Sequence, residues 1–174
     1  MSSAVIRRLP RLVVFDLDHT LWPFGVDGFR YIPPYHRKDG HVFDRQQQPM
    51  RTFSEVPDIM RRLTADGIQI GVASRTEYPL GAHTLIDLFQ LDQFVNYRQI
   101  YPGRKLKHFE RLKTDSGADY QQMMFFDDEQ RNIADIGPLG VTAILVDRQT
   151  GVTLEIVNEA IKRFASKTTA ATGA

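Results

Sequence analysis

An apolar run, Leu12-Val13-Val14-Phe15, meets Asp16-Leu17-Asp18-His19-Thr20 without a break, so two carboxylates separated by one residue and then a hydroxyl follow it at once. A short, wholly apolar run of this kind suits a strand buried on both faces of a parallel sheet. In open α/β sheets, ligands sit just beyond the carboxyl ends of the strands. A buried strand that delivers Asp, Asp and Thr to that edge is building a site. The plainer alternative is a strand end closed by turn-forming aspartates, and D-x-D-x-T is too short a motif to decide the matter alone.

The chain has 174 residues, 42% of them hydrophobic. That is enough to bury one α/β core without disulfide or metal staples, and a single domain is expected over residues 1–165. A formal net charge of +1 offers no global attraction to nucleic acid or membrane, although local patches are not excluded. Cysteine is absent, which removes thiol catalysis, cysteine metal sites and disulfides together and fits a reducing compartment. Met1 to Pro10 carries Arg7 and Arg8 but no apolar stretch of signal-peptide length, and nowhere do about 18 apolar residues run together. The expectation is a soluble, cytoplasmic monomer. Ser166 to Ala174, made of Ala, Thr, Lys and Gly without periodicity, reads as a disordered tail.

Between the ends, apolar runs alternate with amphipathic segments. Ile59, Met60 and Leu63 stand at helical spacing within Val56 to Asp66, and Gly67 ends that helix. Ile68 to Ala73 then reads as a buried strand ending in Ser74-Arg75-Thr76. A helix over about 80–89 and a weaker strand over 94–100 follow, then a turn at Pro102-Gly103 with Lys105 just beyond it. Leu106 to Lys113 is helical, Met123 to Phe126 is a strand ending in Asp127-Asp128, and Gln130 to Ile136 is a helix. Val141 to Val146 is a strand, and Leu154 to Phe164 a final helix. Strands alternating with helices imply a doubly wound, mainly parallel sheet.

Three strands therefore end in chemically loaded residues: Asp16, Asp18 and Thr20; then Ser74; then Asp127 and Asp128. Lys105 arrives from the loop between the last two. In a parallel sheet all of them gather along one edge. Singly, Ser74 reads as a helix cap, Lys105 as a solvated turn lysine, and the aspartates as dipole partners of the next helix. It is their order and their strand-end positions together that favour a site.

This order resembles the four motifs of the haloacid dehalogenase superfamily, whose commonest members are Mg²⁺-dependent aspartyl phosphatases. Closer still, Val14 to Pro23, Pro33-Pro34, Tyr101-Pro102-Gly103-Arg104-Lys105 and Phe125 to Asn132 resemble the small magnesium-dependent phosphatase 1 family over nearly the whole chain. One departure is His19, where that family's pattern implies an aromatic tyrosine. The resemblance implies a Rossmann-like fold with a small flap and no large cap domain.

It also implies roles. A carboxylate can attack a phosphate dianion only if both negative charges are offset at close range, and carboxylate, carbonyl and water oxygens suit Mg²⁺. Asp16 and Asp127 are expected as side-chain ligands, with Asp18 lending its backbone carbonyl. Asp16 would be the nucleophile, forming an aspartyl-phosphate, and Asp18 would protonate the leaving oxygen and then activate water. Thr20 is expected to orient Asp18 or its loop, standing on the substrate side with Ser74, Arg75 and Lys105. Spacing cannot choose between Lys105 and Lys107; the family's Pro-Gly-x-Lys selects Lys105. Asp128 would support the metal water or Lys105 from behind, with Arg131 and Asn132 bracing the loop or simply forming the polar face of their helix.

Trp22 to Glu55 is rich in aromatic and basic residues and too short for a helical cap domain. A small flap next to Asp16 is expected, turning at Lys38-Asp39-Gly40-His41. His36, Arg37 and His41 are candidates to touch a leaving group, unless the flap is merely structural. The substrate would be a phosphorylated small molecule or a phosphoprotein. Two other classes share parts of the pattern. A phosphorylatable signalling receiver has the carboxylates, hydroxyl and lysine, but no use for the second Asp of D-x-D. A nucleic-acid end phosphatase would use the basic flap on a phosphate backbone, against which near-neutral charge counts.

Overall fold

The computed structural model describes residues 8–171. In chain order, β1 (Leu12–Phe15) leads into an insertion holding β2 (His36–Lys38), β3 (His41–Phe43) and β4 (Pro49–Met50). Then follow α1 (Val56–Ala65), β5 (Gln69–Ser74), α2 (Pro79–Leu88), β6 (Tyr97–Ile100), α3 (Lys105–Ser116), β7 (Met123–Asp127), α4 (Gln130–Ile136), β8 (Thr142–Leu145) and α5 (Leu154–Ala171). The main sheet has the order β6-β5-β1-β7-β8. All its pairings are parallel. β1 lies at the centre, with Val14 level with Gly71 on one side and Phe125 on the other.

Because side chains alternate along a strand, β1 feeds two cores. Val13 and Phe15 pack with the apolar faces of α1, α2 and α5, while Leu12 and Val14 pack with Phe109 and Leu112 of α3 and Ile136 of α4. All four β1 side chains are completely buried, which is why the run carries no polar residue until it reaches the sheet edge. α1 shows how directly pattern becomes packing: Val56, Ile59, Met60 and Leu63 are its buried residues, and Gly67, at φ 77°, lets the chain turn back into β5.

The insertion forms a separate three-stranded antiparallel sheet, β2-β3-β4. Lys38 pairs with His41, and Asp39 and Gly40 between them both adopt positive φ, 51° and 79°, as a two-residue hairpin turn of this twist requires. Buried Asp44 holds the base of the flap, accepting backbone N–H bonds from Ile32, Gln46 and Gln48, each at 2.9 Å.

Most element bounds shift by a residue or two from those expected, and three differences matter. β6 starts at Tyr97, because the N–H groups of Phe94 and Val95 turn back to the carbonyl of Leu91. α3 begins at Lys105 itself. α5 continues to Ala171, past the expected Phe164 and through most of the segment read as a tail; residues 172–174 lie outside the described residues, as do residues 1–7. Among the described residues no helix is long and apolar enough to cross a membrane.

Candidate active site

The three loaded strand ends belong to β5, β1 and β7, which are adjacent, and the parallel register brings Ser74, Asp16 and Asp127 to the same edge of the sheet. They line or underlie a cavity of about 270 Å³. At its base the Lys105 ammonium lies 2.7 Å from Asp16 Oδ1 and 2.6 Å from Asp127 Oδ2. Lys105 is 1% exposed. Burial disfavours its charge, but the two carboxylates outweigh burial and hold its pKa above the usual lysine value.

Each carboxylate is further fixed. Asp16 Oδ2 accepts a hydrogen bond from Thr20 Oγ1 at 3.1 Å. Thr20 is fully buried, so its hydroxyl is committed to Asp16 and not, as expected, to Asp18 or to the substrate side. Asp127 Oδ1 accepts from the Glu129 N–H at 2.8 Å, and Oδ2 from Asn132 Nδ2 at 2.9 Å. Arg75 Nη1 in turn donates to Asn132 Oδ1 at 3.2 Å. Asn132 is thus tied to the site on both of its polar atoms, and Arg75 reaches the cavity wall. Burial pushes Asp16 and Asp127 up to about 6 each, with Lys105 opposing that rise.

Asp18 lines the same cavity but is held by other partners. Its loop curls back over the strand end, with the Thr20 and Leu21 N–H groups bonded to the Leu17 carbonyl and the His19 N–H to that of Trp22. His19 takes φ 60° to allow this, in a region few non-glycine residues enter. Asp18 Oδ1 accepts from Trp22 Nε1 at 2.9 Å and from the Val26 N–H at 3.2 Å. Burial pushes its pKa to about 7, Trp22's hydrogen bond pulling the other way. The carboxylate so poised can be found protonated or ionised near neutrality, the condition for a proton carrier.

Opposite, the Ser74 Oγ accepts the Thr76 N–H at 3.2 Å, leaving its own proton free for an anion in the cavity. Sequence reading missed His108, which is completely buried. Its Nε2 sits 2.9 Å from the Ser74 carbonyl and 2.8 Å from that of Tyr101; facing two acceptors, this nitrogen carries the proton. His108 thereby ties the Ser74 strand end to the turn that leads into Lys105. A signal existed only as a polar residue one turn beyond that lysine. Glu129, Arg131 and Arg148 also stand on the cavity wall, with His19, whose pKa is lowered by burial and by Arg148 nearby. The leaving-group candidates His36, Arg37 and His41 do not line it; from the insertion only Gly25 and Asp27 do. The flap hairpin leans the other way, Arg37 Nη1 donating to the Leu88 carbonyl at the end of α2.

Asp16, Asp127 and Asp128 each present one oxygen, and the three oxygens lie within 4.8 Å of one another. Asp128, expected as a support, therefore stands with the other two. Three hard oxygen donors suit a magnesium-type ion. Three carboxylates against one buried ammonium also leave an excess of two negative charges, which a divalent cation would cancel.

A family model described as acid phosphatase matches residues 8–167. The chain belongs to that family. It is 47% identical to human "Magnesium-dependent phosphatase 1" over 163 residues, covering 93% of this chain and 91% of the human one. It is 35% identical to a Schizosaccharomyces pombe protein named as a member of the HAD-like hydrolase superfamily, over 76% of this chain and 83% of that one. The fold agrees: a HAD-superfamily hydrolase from Ehrlichia chaffeensis superposes with a TM-score of 0.65 at 11% identity, over 90% of this chain and 98% of that one. The superfamily expected from the four motifs is therefore the correct one, and the fold carries the small flap without a large cap.

Proposed function

We propose that this acid phosphatase family member is a Mg²⁺-dependent phosphomonoester hydrolase that works through an aspartyl-phosphate on Asp16. The observation that carries the reading is the convergence of Asp16 and Asp127 on buried Lys105, with Asp128 closing a three-carboxylate cluster. The human relative's name makes that protein magnesium-dependent, and the oxygen donors here fit the same ion. Asp16, Asp127 and Asp128, with the Asp18 backbone carbonyl, would hold Mg²⁺, which supplies positive charge between the attacking carboxylate and the phosphate dianion.

Asp16 attacks phosphorus, its orientation set by Thr20 on one oxygen and Lys105 on the other. The bond from phosphorus to the leaving oxygen breaks, and that oxygen takes its proton from Asp18. Asp18, now a carboxylate steadied by the Trp22 indole N–H, removes a proton from water. The water attacks the phosphorus of the aspartyl-phosphate, inorganic phosphate leaves, and Asp16 and protonated Asp18 are restored. Ser74 and Lys105 donate to phosphoryl oxygens as negative charge spreads over them in the transition state. Arg75 stays engaged with Asn132 and reinforces the Asp127 side.

An open cavity with only Gly25 and Asp27 contributed by the flap admits a phosphate on a protein side chain, such as phosphotyrosine, as well as a sugar phosphate. A cytoplasmic location fits the cysteine-free chain. The test is a panel of aryl phosphates, phosphopeptides and sugar phosphates, ranked by kcat/KM with Mg²⁺ and with a chelator. Hydrolysis that needs Mg²⁺ is expected. Metal-independent turnover, or no turnover of any monoester, would overturn the proposal; stable phosphorylation without turnover would favour a receiver.

A further inference from the structure

A second groove, sharing no lining residue with the catalytic cavity, lies between the flap hairpin and the α1 and α2 region. Its volume is about 540 Å³, within the range of small-molecule sites. Met50, Phe89 and Phe94 are among its apolar lining residues. Arg37, Arg51 and Arg61 line it as well, and among the described residues no carboxylate does.

The arginines differ in how far they are engaged. Arg37 donates to the neutral Leu88 carbonyl at 2.7 Å, which holds its guanidinium in place without cancelling its charge. Arg61 faces Asp58 at 2.6 Å in an exposed pair, the kind water screens heavily. Arg51 has no hydrogen bond or ion pair among the described residues. In a protein whose formal net charge is only +1, three guanidiniums around a groove that no carboxylate among the described residues lines mark a local imbalance that the catalytic reading does not use. Guanidinium forks match carboxylate and phosphate-like groups two bonds at a time, and Met50, Phe89 and Phe94 suit a ring or chain.

We propose that this groove binds a small amphipathic anion: an apolar body carrying one carboxylate, sulfonate or phosphate group. The groove thereby accounts for the basic residues of the flap that stand away from the catalytic cavity. Its test needs no turnover and so stands apart from the catalytic proposal.

The probe is 8-anilinonaphthalene-1-sulfonate, an aromatic sulfonate. Trp22 is the one tryptophan in the chain, and its ring centroid lies 5.8 Å from that of Phe89, which lines the groove, so energy transfer from Trp22 to the bound probe reports occupancy. The full chain is titrated with saturating inorganic phosphate and Mg²⁺ present, to keep the catalytic cavity filled. Saturable binding of one probe per chain is expected under these conditions. The R51E/R61E variant should bind the probe at least about tenfold more weakly, R51Q/R61Q should fall in between, and both should hydrolyse an aryl phosphate as the unmodified protein does. Non-saturable binding, or equal affinity in R51E/R61E, would overturn the proposal.

Discussion

Replacing Lys105 with methionine tests the electrostatic core of the site most directly. Methionine keeps the length and apolar stem of the side chain, and so its place beside the Phe125 ring, whose centroid lies 5.2 Å from the ammonium. What it removes is the cation between Asp16 and Asp127. Breaking a buried ion pair from one side costs about 3–5 kcal/mol, because the remaining charge is left uncompensated. Here two carboxylates are left, and part of the cost is relieved by protonation. For a chain of this length about 1 kcal/mol corresponds to roughly 2–4 °C in Tm, so a fall of about 6–20 °C is expected in the presence of a chelator. Adding Mg²⁺ should raise the Tm of K105M by more than it raises that of the unmodified protein, since the variant site carries one more uncompensated negative charge. Thermal unfolding followed by circular dichroism, with chelator and with Mg²⁺, gives both numbers. A variant as stable as the parent in chelator would refute the reasoning, as would an equal Mg²⁺ response in the two proteins.

Asp16→Asn should reduce aryl-phosphate hydrolysis to background while the melting transition stays cooperative; retained turnover would remove Asp16 as the nucleophile. Thr20→Val deletes the hydroxyl bonded to Asp16 Oδ2, a loss of about 1–1.5 kcal/mol, and should lower kcat about tenfold with little change in KM, measured by steady-state kinetics. Asp44, held below the ordinary carboxylate value by the N–H bonds it accepts, stabilises the flap at neutral pH. Because its folded pKa is depressed, that contribution is present above the unfolded value near about 4 and is lost as pH falls through the lower folded value. Asp44→Asn should therefore have a lower Tm at neutral pH and lose less of it on acidification, and an unchanged acid limb in a Tm against pH series would count against this account.

What could be read from the sequence follows a physical division. β1, β5 and β7 were legible because a strand buried on both faces tolerates polar residues only at its ends, so Asp16, Ser74 and Asp127 announce the sheet edge themselves. The Asp39-Gly40 turn was legible because few residues accept positive φ. The partner of Thr20 was not, since a hydroxyl two residues from Asp18 and four from Asp16 can reach either, and the tight turn at His19 decides. Trp22's hold on Asp18 depends on the same turn. His36, Arg37 and His41 were candidates for the leaving group, with a merely structural flap as the alternative, because they follow the nucleophile in sequence; the hairpin's lean toward α2 belongs to three-dimensional packing that spacing does not encode.

Lys105 shows most clearly where fold and chemistry pull apart. It is the first residue of α3, preceded by Arg104 and followed two residues on by Lys107, with no acidic residue in the first turn. Unpaired N–H groups make that end of a helix positive, so cations there are unfavourable and carboxylates preferred. No side chain caps this helix start. Arg104 is offset by its two bonds to Asp135 of α4, at 3.2 and 2.8 Å, which also anchor the helix start laterally. Lys105 has no comparable relief on its own element; its compensation comes from Asp16 and Asp127, 89 and 22 residues away in the chain. A local rule is broken at one residue and repaired only by the two carboxylates of the proposed reaction. Stability alone would sooner place an acid at that helix start, so the lysine's position is explained by what it does for the carboxylates it faces.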